Sequence, residues 1–291
     1  MKKTITFIIN PISGNIDKEN FPLLIKKNID LKKFDCEALF TESSVHTLLL
    51  AKEAVAKKRT IIVAVGGDGT INNIAKYVKS SPSLFAMIPM GSGNGLARHL
   101  NIPMNKQRAL QIINNLKTTT IDTAKANDDF FINIAGAGFD AHVSKLFAST
   151  GNRGLWSYVN ISMNEFIKYK PVNYKFFIDG KEYNEDAFLI CVANGSQFGN
   201  NAVIAPEADL SDGMLEISLI KPFHKMSMPF IGFDLFSKKF NSSRFVKTYK
   251  GKNIIIKRPD ADVMNIDGEP VMMDKDIDIR IEPSSINVIV P

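Results

Sequence analysis

The chain has 291 residues and 32.3 kDa, which is long enough for two ordinary domains. Its 45% hydrophobic and 23% charged residues exclude a disordered or fibrous protein. Two cysteines, Cys36 and Cys191, cannot form a disulfide framework and indicate a reducing compartment. No stretch approaches the ~18 apolar residues of a membrane span, and the apolar run after Lys3 is too short for a signal peptide. We therefore expect a soluble, cytosolic protein.

The net charge of +6 is concentrated in one segment. Between Lys221 and Arg258 there are ten Lys and Arg residues and one acid, Asp234, so this segment carries +9 and the remaining chain −3. One local basic patch without a recognition motif argues against a nucleic-acid partner.

The first 120 residues alternate between strand and helix patterns. Strands are predicted at 3–9, 60–65 and 84–88, and helices at 21–29, 45–58, 70–79, from 94 and at 106–116. The run 60–65 is apolar almost throughout, which is typical of a strand buried on both faces of a parallel sheet. This half is predicted to be an α/β domain with a mostly parallel sheet.

After about Asp122 the pattern becomes rich in strands. They are predicted at 130–134, 174–178, 187–193, 215–220, 253–257 and 277–281, with turns at Asp179-Gly180 and Asp212-Gly213 and helices only at 154–170 and 226–239. The second half is therefore predicted to be a mainly antiparallel β domain.

Two glycine-rich loops follow consecutive predicted strands. Gly66-Gly67-Asp68-Gly69-Thr70 opens a helix, and Gly91-Ser92-Gly93-Asn94-Gly95 does the same after the next strand. Backbone N–H groups at a helix N-terminus suit phosphate, and two such loops can bind one polyphosphate. Asp68 is interpreted as a group that holds Mg²⁺ or a water on it. The alternative is a tight turn in which Asp68 caps the helix.

A third glycine motif is interpreted differently. Gly136-Ala137-Gly138-Phe139-Asp140-Ala141 fits the G-x-G-x-x-A dinucleotide fingerprint, but it lies in the β-rich half without a clear βαβ unit. A hairpin or a role in sheet packing is the favoured interpretation. No Walker motif is present, and the four histidines form no zinc-site spacing.

Four motifs together resemble the diacylglycerol/sphingosine kinase family of lipid kinases. In chain order they are Asn10-Pro11-Ile12-Ser13-Gly14, Gly66-Gly67-Asp68-Gly69-Thr70-Ile71-Asn72, Pro89-Met90-Gly91-Ser92-Gly93-Asn94 and Ile266-Asp267-Gly268-Glu269-Pro270. The resemblance implies a nucleotide-binding α/β domain at 1–122, similar to NAD kinases and phosphofructokinases. It also implies a β-sandwich-like lipid-substrate domain at 123–282, a tail at 283–291 that returns to the first domain, and ATP between the domains.

The resemblance also implies roles for individual residues. The ATP-contacting set comprises Asn10, Pro11, Ile12, Ser13, Gly14, Thr41, Gly66, Gly67, Asp68, Gly69, Thr70, Ile71, Asn72 and Ser92. Glu269 is implied as the general base, with Asp267 as the competing choice. Asp212 is implied as a Mg²⁺ ligand with Asp209 and Met214 as its neighbours, and Asp122 as a link through water from this metal to Asp68.

The implied activity is ATP-dependent transfer of the γ-phosphoryl group to a primary hydroxyl of a membrane lipid. Residues 91–97 lack the aspartate of many bacterial diacylglycerol kinases in this family and look more like the sphingosine and ceramide kinase branch. The alternatives are a small-molecule kinase of the NAD-kinase or phosphofructokinase type and a nucleotide-binding regulator without catalysis. A homodimer is compatible with the resemblance.

The basic segment also contains many large apolar residues: Met226, Met228, Phe230, Ile231, Phe233, Leu235, Phe236 and Phe240. One interpretation is a core helix with a solvated basic flank. The other is an interfacial element that inserts apolar side chains and attracts anionic lipid. The second predicts reversible docking through residues 221–258 on an anionic membrane, at its cytoplasmic face.

Overall fold

The structure of the protein is a computed structural model that describes residues 2–14, 17, 20–150 and 155–291, without the side chains of 155–157. The chain divides into two compact units, one formed by Met1–Ile121 with Ser284–Pro291 and the other by Asp122–Pro283. None of the helices within the described residues is long and apolar enough to cross a bilayer.

The first unit alternates strands and helices. In chain order these are β1 (Lys3–Ile9), α1 (Asn20–Asn28), β2 (Phe34–Phe40), α2 (Ser44–Ala56), β3 (Ile61–Gly66), α3 (Asp68–Val78), β4 (Leu84–Pro89), α4 (Gly95–His99), α5 (Lys106–Ile113) and the start of β5 (Thr118–Ala126).

Four strands of this unit form a parallel sheet in the order β2-β1-β3-β4. All six residues of β3 are buried, as its apolar run predicts. The end of the last strand pairs with β4 in parallel, Val288 opposite Phe85. The strand β2 was not predicted from the sequence, because the polar residues Asp35 and Glu37 interrupt its apolar pattern. Five of its seven residues are only half-buried.

The second unit contains the remaining elements. They are β6 (Asp129–Phe131), β7 (Ile134–Gly138), α6 (Phe139–Thr150), α7 (Leu155–Phe166), β8 (Val172–Ile178), β9 (Lys181–Ala187), β10 (Leu189–Ala193), β11 (Gln197–Gly199), β12 (Ala202–Val203), β13 (Leu215–Ile220), α8 (Met228–Phe236), β14 (Val246–Gly251), β15 (Asn253–Lys257), β16 (Asp262–Ile266), β17 (Glu269–Met273) and β18 (Asp276–Ile289).

These strands build an antiparallel sandwich. One sheet has the order β14-β13-β10-β7-β16-β17, and it packs against β18, β15, β8 and β9 through a shared apolar core. Phe176 and Ile254 face Ile190 and Ile217 in that core. The predicted fold class, an α/β domain followed by a mainly antiparallel β-sandwich, is confirmed.

A second apolar cluster covers the outer face of the six-stranded sheet. It joins strand residues such as Ile134 and Cys191 to Phe166 at the end of α7, Ile231 in α8 and Phe240. The helices of the second unit therefore pack on one side of the sandwich. Gly154, where the helix predicted at 154–170 begins, lies outside the described residues.

Two local predictions are wrong, and a third is confirmed in part. The strand predicted at 130–134 is interrupted between β6 and β7, because the backbone N–H groups of Ile132 and Asn133 bind a side chain. The Gly136 motif forms no hairpin, since β7 ends at Gly138 and α6 begins at the next residue. Its glycines do serve sheet packing, the other favoured interpretation, because a Cβ on Gly138 would lie 2.8 Å from the Phe188 carbonyl oxygen of the neighbouring chain segment. The helix predicted at 226–239 is a 3₁₀ turn followed by a shorter α8.

Candidate functional site

The carboxyl ends of β1 to β4 bring the predicted nucleotide-contacting segments to one sheet edge. Asn10 donates its N–H to the Val65 carbonyl, and Thr41, which follows β2, donates its N–H to the Ile9 carbonyl at 2.8 Å. Met90 donates in the same way to the Gly66 carbonyl at 2.8 Å. Ligands of open α/β sheets bind at such an edge.

The two glycine loops touch each other, and the contact requires glycine. A Cβ atom on Gly91 would lie 2.6 Å from the Gly67 Cα and 2.9 Å from the Asn94 Oδ1. A Cβ on Gly66 would lie 2.5 Å from the Thr70 Oγ1. The lack of side chains therefore allows close packing of the loops and leaves their backbone accessible to a ligand.

Asp68 connects these loops. It is the first residue of α3, and its carboxylate accepts the backbone N–H of Asn94 at 2.8 Å and of Gly95 at 2.9 Å. Burial raises the pKa of Asp68, and the two N–H donors counter that shift. The carboxylate thus holds the start of α4. The alternative interpretation had Asp68 cap the helix that it opens, α3, whereas the structure shows this kind of contact with the next helix. The role of Asp68 toward Mg²⁺ stays a prediction.

The loop after β1 lies against the first glycine loop. The Asn10 side chain donates to the Thr70 Oγ1 at 3.1 Å and accepts the Ile12 N–H at 3.1 Å. Gly14 has a φ of +64°, and a Cβ there would lie 2.8 Å from the Met90 carbonyl oxygen. The Asn10 motif, Thr70 and the second loop are therefore parts of one constellation.

The other predicted nucleotide-contacting residues differ in exposure. Ile12 and Ser92 are exposed, and Pro11, Ser13, Gly67, Gly69 and Asn72 are half-buried. Ile71 is buried in the face of α3 that packs on the sheet, so its side chain contributes to the core.

A cavity of about 430 Å³ opens beside the second glycine loop. Met90, Gly91 and Asn94 line one part of it, and Arg98 and Lys106 contribute two cations. Arg98 donates to the Gly93 carbonyl at 3.0 Å. The sequence reasoning missed both cations, because they lie outside the glycine motifs on α4 and α5. Their charge suits an anionic ligand.

In the second unit, Asp267 and Glu269 have different surroundings. Asp267 accepts the backbone N–H of Ile132 at 2.8 Å, of Asn133 at 3.0 Å and of Ile134 at 2.8 Å. Asp267 and Gly268 both have positive φ and form the two-residue turn between β16 and β17. The Glu269 side chain is exposed, and its carboxylate forms no hydrogen bond or ion pair with any residue that the structure describes.

A buried acid of the Gly136 motif, to which the sequence analysis gave no role, lies close to this turn. Asp140, in the first turn of α6, accepts a hydrogen bond from the Asn265 Nδ2 at 2.8 Å and one from the Tyr158 hydroxyl at 3.2 Å. Burial raises the pKa of Asp140 to about 6, against the opposing effect of these two donors. Asn265 also accepts the Gly268 N–H at 2.9 Å. The available signal was an acid directly after a glycine motif at a strand end.

The predicted metal loop is held by its own aspartates and by Asp122 of β5. Asp209 accepts the Ser211 N–H and hydroxyl, Asp212 accepts the Met214 N–H, and Asp122 accepts the Gly213 N–H at 2.7 Å. Among the described residues, no three His, Cys, Asp or Glu side chains form a metal-binding group. A link from Asp122 to Asp68 stays a prediction.

An excess of negative charge surrounds this loop. Glu216 is buried, and neither of its carboxylate oxygens has a hydrogen bond of good geometry within the described part of the chain, although the nearby Glu207 N–H partly stabilises its charge. Burial, followed by repulsion from Glu207, raises the pKa of Glu216 to about 7, and Asp212 adds to that repulsion. Lys250 partly offsets this charge, 3.7 Å from the Asp212 Oδ2. Hard oxygen donors with unbalanced charge fit a divalent cation such as Mg²⁺.

Comparison with known proteins covers both units. Residues 4–126 match the diacylglycerol kinase catalytic domain, and residues 133–290 match the YegS C-terminal NAD kinase beta sandwich-like domain. The chain is 29% identical over 250 residues to a "probable lipid kinase YegS-like" of Pectobacterium atrosepticum, covering 82% of this chain and 81% of that protein.

Two further comparisons agree. A "probable lipid kinase YegS-like" of Shewanella frigidimarina is 26% identical over 258 residues, covering 85% of this chain and 82% of that protein. The crystal structure of a diacylglycerol kinase from Bacillus anthracis superposes with a TM-score of 0.77 at 21% identity, covering 100% of this chain and 97% of that one. The structural likeness supports the shared fold.

Proposed function

Because the chain belongs to the lipid kinase family that joins a diacylglycerol kinase catalytic domain to a YegS C-terminal domain, we propose that it is an ATP-dependent lipid kinase. It transfers the γ-phosphoryl group of ATP to a primary hydroxyl of a membrane lipid, either diacylglycerol or a sphingoid- or ceramide-type lipid. The observation that carries this proposal is the close contact of the two glycine loops beside Asn10 and Thr70 at one sheet edge.

The nucleotide part of the proposal rests on the first unit. Backbone N–H groups of the loop at 66–70 and those of Ser92 and Gly93 bind the ATP phosphates, because the Gly91 and Asn94 N–H groups already bind side chains. The nearby cations Arg98 and Lys106 add positive charge. Phosphoryl transfer depends mainly on positioning and on neutralising phosphate charge, which these groups supply. Asp68 holds the two loops in register through Asn94 and Gly95.

Glu269 is the proposed general base. Its carboxylate accepts the proton of the lipid hydroxyl while that oxygen bonds to the γ-phosphorus. The bond from the γ-phosphorus to the bridging oxygen breaks, and ADP leaves with the electron pair. Asp267, the competing choice, already accepts three backbone N–H groups, so it fixes the turn from which Glu269 projects.

Mg²⁺ is the proposed cofactor. Bound with ATP it would neutralise phosphate charge. In the second unit, Asp212 is the proposed side-chain ligand of a further Mg²⁺, with Asp209 and Met214 beside it and Asp122 holding the loop through Gly213. The buried carboxylate of Glu216 and its repulsion by Glu207 and Asp212 support a cation there.

The test is a transfer assay with [γ-³²P]ATP, Mg²⁺ and a mixed lipid extract, with thin-layer separation of the products. A labelled lipid is expected, and its mobility distinguishes phosphorylated diacylglycerol, sphingoid base and ceramide. Parallel reactions with NAD and with sugar phosphates test the small-molecule kinase alternative. Labelling of these acceptors instead of lipid contradicts the proposal, as does ATP binding without transfer to any acceptor.

A further inference from the structure

The helices on the outer side of the sandwich expose large apolar side chains. In and before α8, Met226, Phe230, Phe233 and Phe236 are between 60% and 79% exposed. On the opposite face of α8, Met228, Ile231 and Leu235 pack on the apolar cluster under the helix. The apolar residues of this segment thus divide into a core face and an exposed face, so both sequence interpretations describe part of it.

The helix α7 adds a second apolar stripe. Val159 and Met163 are exposed four residues apart on one face of α7, and Ile167, the residue directly after the helix, continues this spacing and is also exposed. The Lys225 Nζ donates to the Ile167 carbonyl at 2.6 Å, so the end of this stripe lies beside Met226. We call the seven exposed residues on α7 and around α8 the apolar surface: Val159, Met163, Ile167, Met226, Phe230, Phe233 and Phe236.

Cations accompany the apolar surface. Lys225, Lys238, Lys239 and Arg244 are exposed, and no carboxylate of the described residues forms an ion pair with any of them. Among nearby acids, Glu165 is paired with His142 and Lys168. Asp234 is the single acid between Lys221 and Arg258. The segment therefore combines exposed apolar side chains with uncompensated positive charge.

We propose that the apolar surface and its four cations dock the protein reversibly on an anionic lipid bilayer. Phe and Met side chains enter the boundary between headgroups and acyl chains, while the cations bind acidic headgroups. Protein–protein interfaces are depleted of Lys relative to the rest of the surface, whereas three of these four cations are lysines. The proposal rests on the lipid kinase function and deepens it, because it names the surface that brings the enzyme to a bilayer-resident substrate.

Sedimentation of the full chain with vesicles tests the proposal. We expect binding to equimolar phosphatidylglycerol/phosphatidylcholine vesicles that weakens as salt is raised, and little binding to phosphatidylcholine alone. The double variant Phe230→Ser/Phe233→Ser and the double variant Lys238→Glu/Lys239→Glu should each bind roughly tenfold more weakly or worse. The proposal is overturned if binding does not depend on lipid charge and salt, or if both double variants bind the vesicles as tightly as the wild type does.

Matched controls come from the first unit. Val45→Ser/Leu49→Ser removes two exposed apolar residues of α2, and Lys26→Glu/Lys27→Glu reverses two adjacent exposed lysines of α1. Both should bind like the wild type. Light scattering tests whether a second copy of the chain covers the apolar surface instead. The proposal is contradicted if the wild type forms a dimer that Phe230→Ser/Phe233→Ser dissociates and if the wild type does not bind vesicles. Vesicle binding needs no turnover, so a failure of the kinase assay is distinguishable from a failure of docking.

Discussion

The Asn265 side chain donates to the buried Asp140 carboxylate at 2.8 Å and accepts the Gly268 N–H at 2.9 Å. One amide therefore connects the start of α6 to the turn that precedes Glu269. Because both of its hydrogen bonds restrain that turn, Asn265 is expected to position the proposed base without contacting the reacting atoms.

Asn265→Ala should lower kcat for lipid phosphorylation by about 10- to 100-fold, the scale on which misplacing a reacting group affects rate. The KM for ATP should change little, because the nucleotide loops belong to the other unit. Steady-state kinetics in both substrates separate the two parameters. Asn184→Ala, at an exposed position of β9, is the control. A kcat for Asn265→Ala within twofold of the wild type would show that the turn holds its geometry without this amide.

The raised pKa of Asp140 predicts a pH-dependent stability. Its folded pKa of about 6 lies above the ordinary value of 3.8, so the folded state binds the proton more tightly and stability falls as pH rises through this window. The loss is about 3 kcal/mol and is complete above the folded pKa. Asp140→Asn removes this titration, so its stability relative to the wild type should rise between about pH 4 and pH 7.

Urea unfolding of both proteins at several pH values measures this difference, with Asp260→Asn at an exposed position as the control. A constant difference in the free energy of unfolding between wild type and Asp140→Asn across this pH range would refute the assigned cause.

Asp68→Ala should impair both the nucleotide site and stability. It leaves the Asn94 and Gly95 N–H groups without their acceptor, at about 1–3 kcal/mol for each buried group left unpaired. We expect a lower melting temperature and ATP binding weakened at least about tenfold. Asp68→Asn keeps one acceptor oxygen, so its melting temperature and ATP affinity should lie between those of the wild type and Asp68→Ala. Calorimetry and thermal unfolding measure these effects, with Asp35→Ala as the exposed control. Unchanged stability of Asp68→Ala with lost activity would instead favour the predicted role toward Mg²⁺.

Gly91→Ala tests the contact between the glycine loops. The added methyl would lie 2.6 Å from the Gly67 Cα, so one loop must move. ATP affinity should fall about tenfold or more, as measured by calorimetry. Gly232→Ala is the matched control, because its Cβ would meet nothing within 4 Å. If Gly91→Ala binds ATP as tightly as the wild type does, the close contact between the loops is not required for nucleotide binding.

Features encoded by short-range pattern were predictable from the sequence. The apolar run of β3 identified a buried parallel strand, and the glycine loops followed the strands that the structure contains. Parallel strands place such loops at one edge, so the contact between the segments after β1, β3 and β4 follows from the element order. The family resemblance is likewise carried by contiguous motifs.

Long-range pairings were not predictable. Asp140 and Asn265 are 125 positions apart, and nothing in either local pattern indicates their hydrogen bond. The same holds for Asp267, whose bonds to the N–H groups of Ile132 to Ile134 interrupt a strand predicted to be continuous. Phe230 and Phe233 are exposed because the other face of α8 packs on the cluster beneath it. Tertiary contacts decide which face packs, so the local sequence pattern does not predict it.

The most direct test of the proposed mechanism compares the rate of ³²P transfer from ATP to lipid in the wild type and in Glu269→Gln. Glu269 is exposed, so the variant should keep the wild-type melting temperature and ATP affinity while kcat falls by roughly 10²–10⁴, the contribution of general base catalysis. Asp267→Asn should also lose activity, but together with stability, because Asp267 accepts three backbone N–H groups. A Glu269→Gln enzyme that transfers phosphate at nearly the wild-type rate would contradict the assignment of Glu269 as the base.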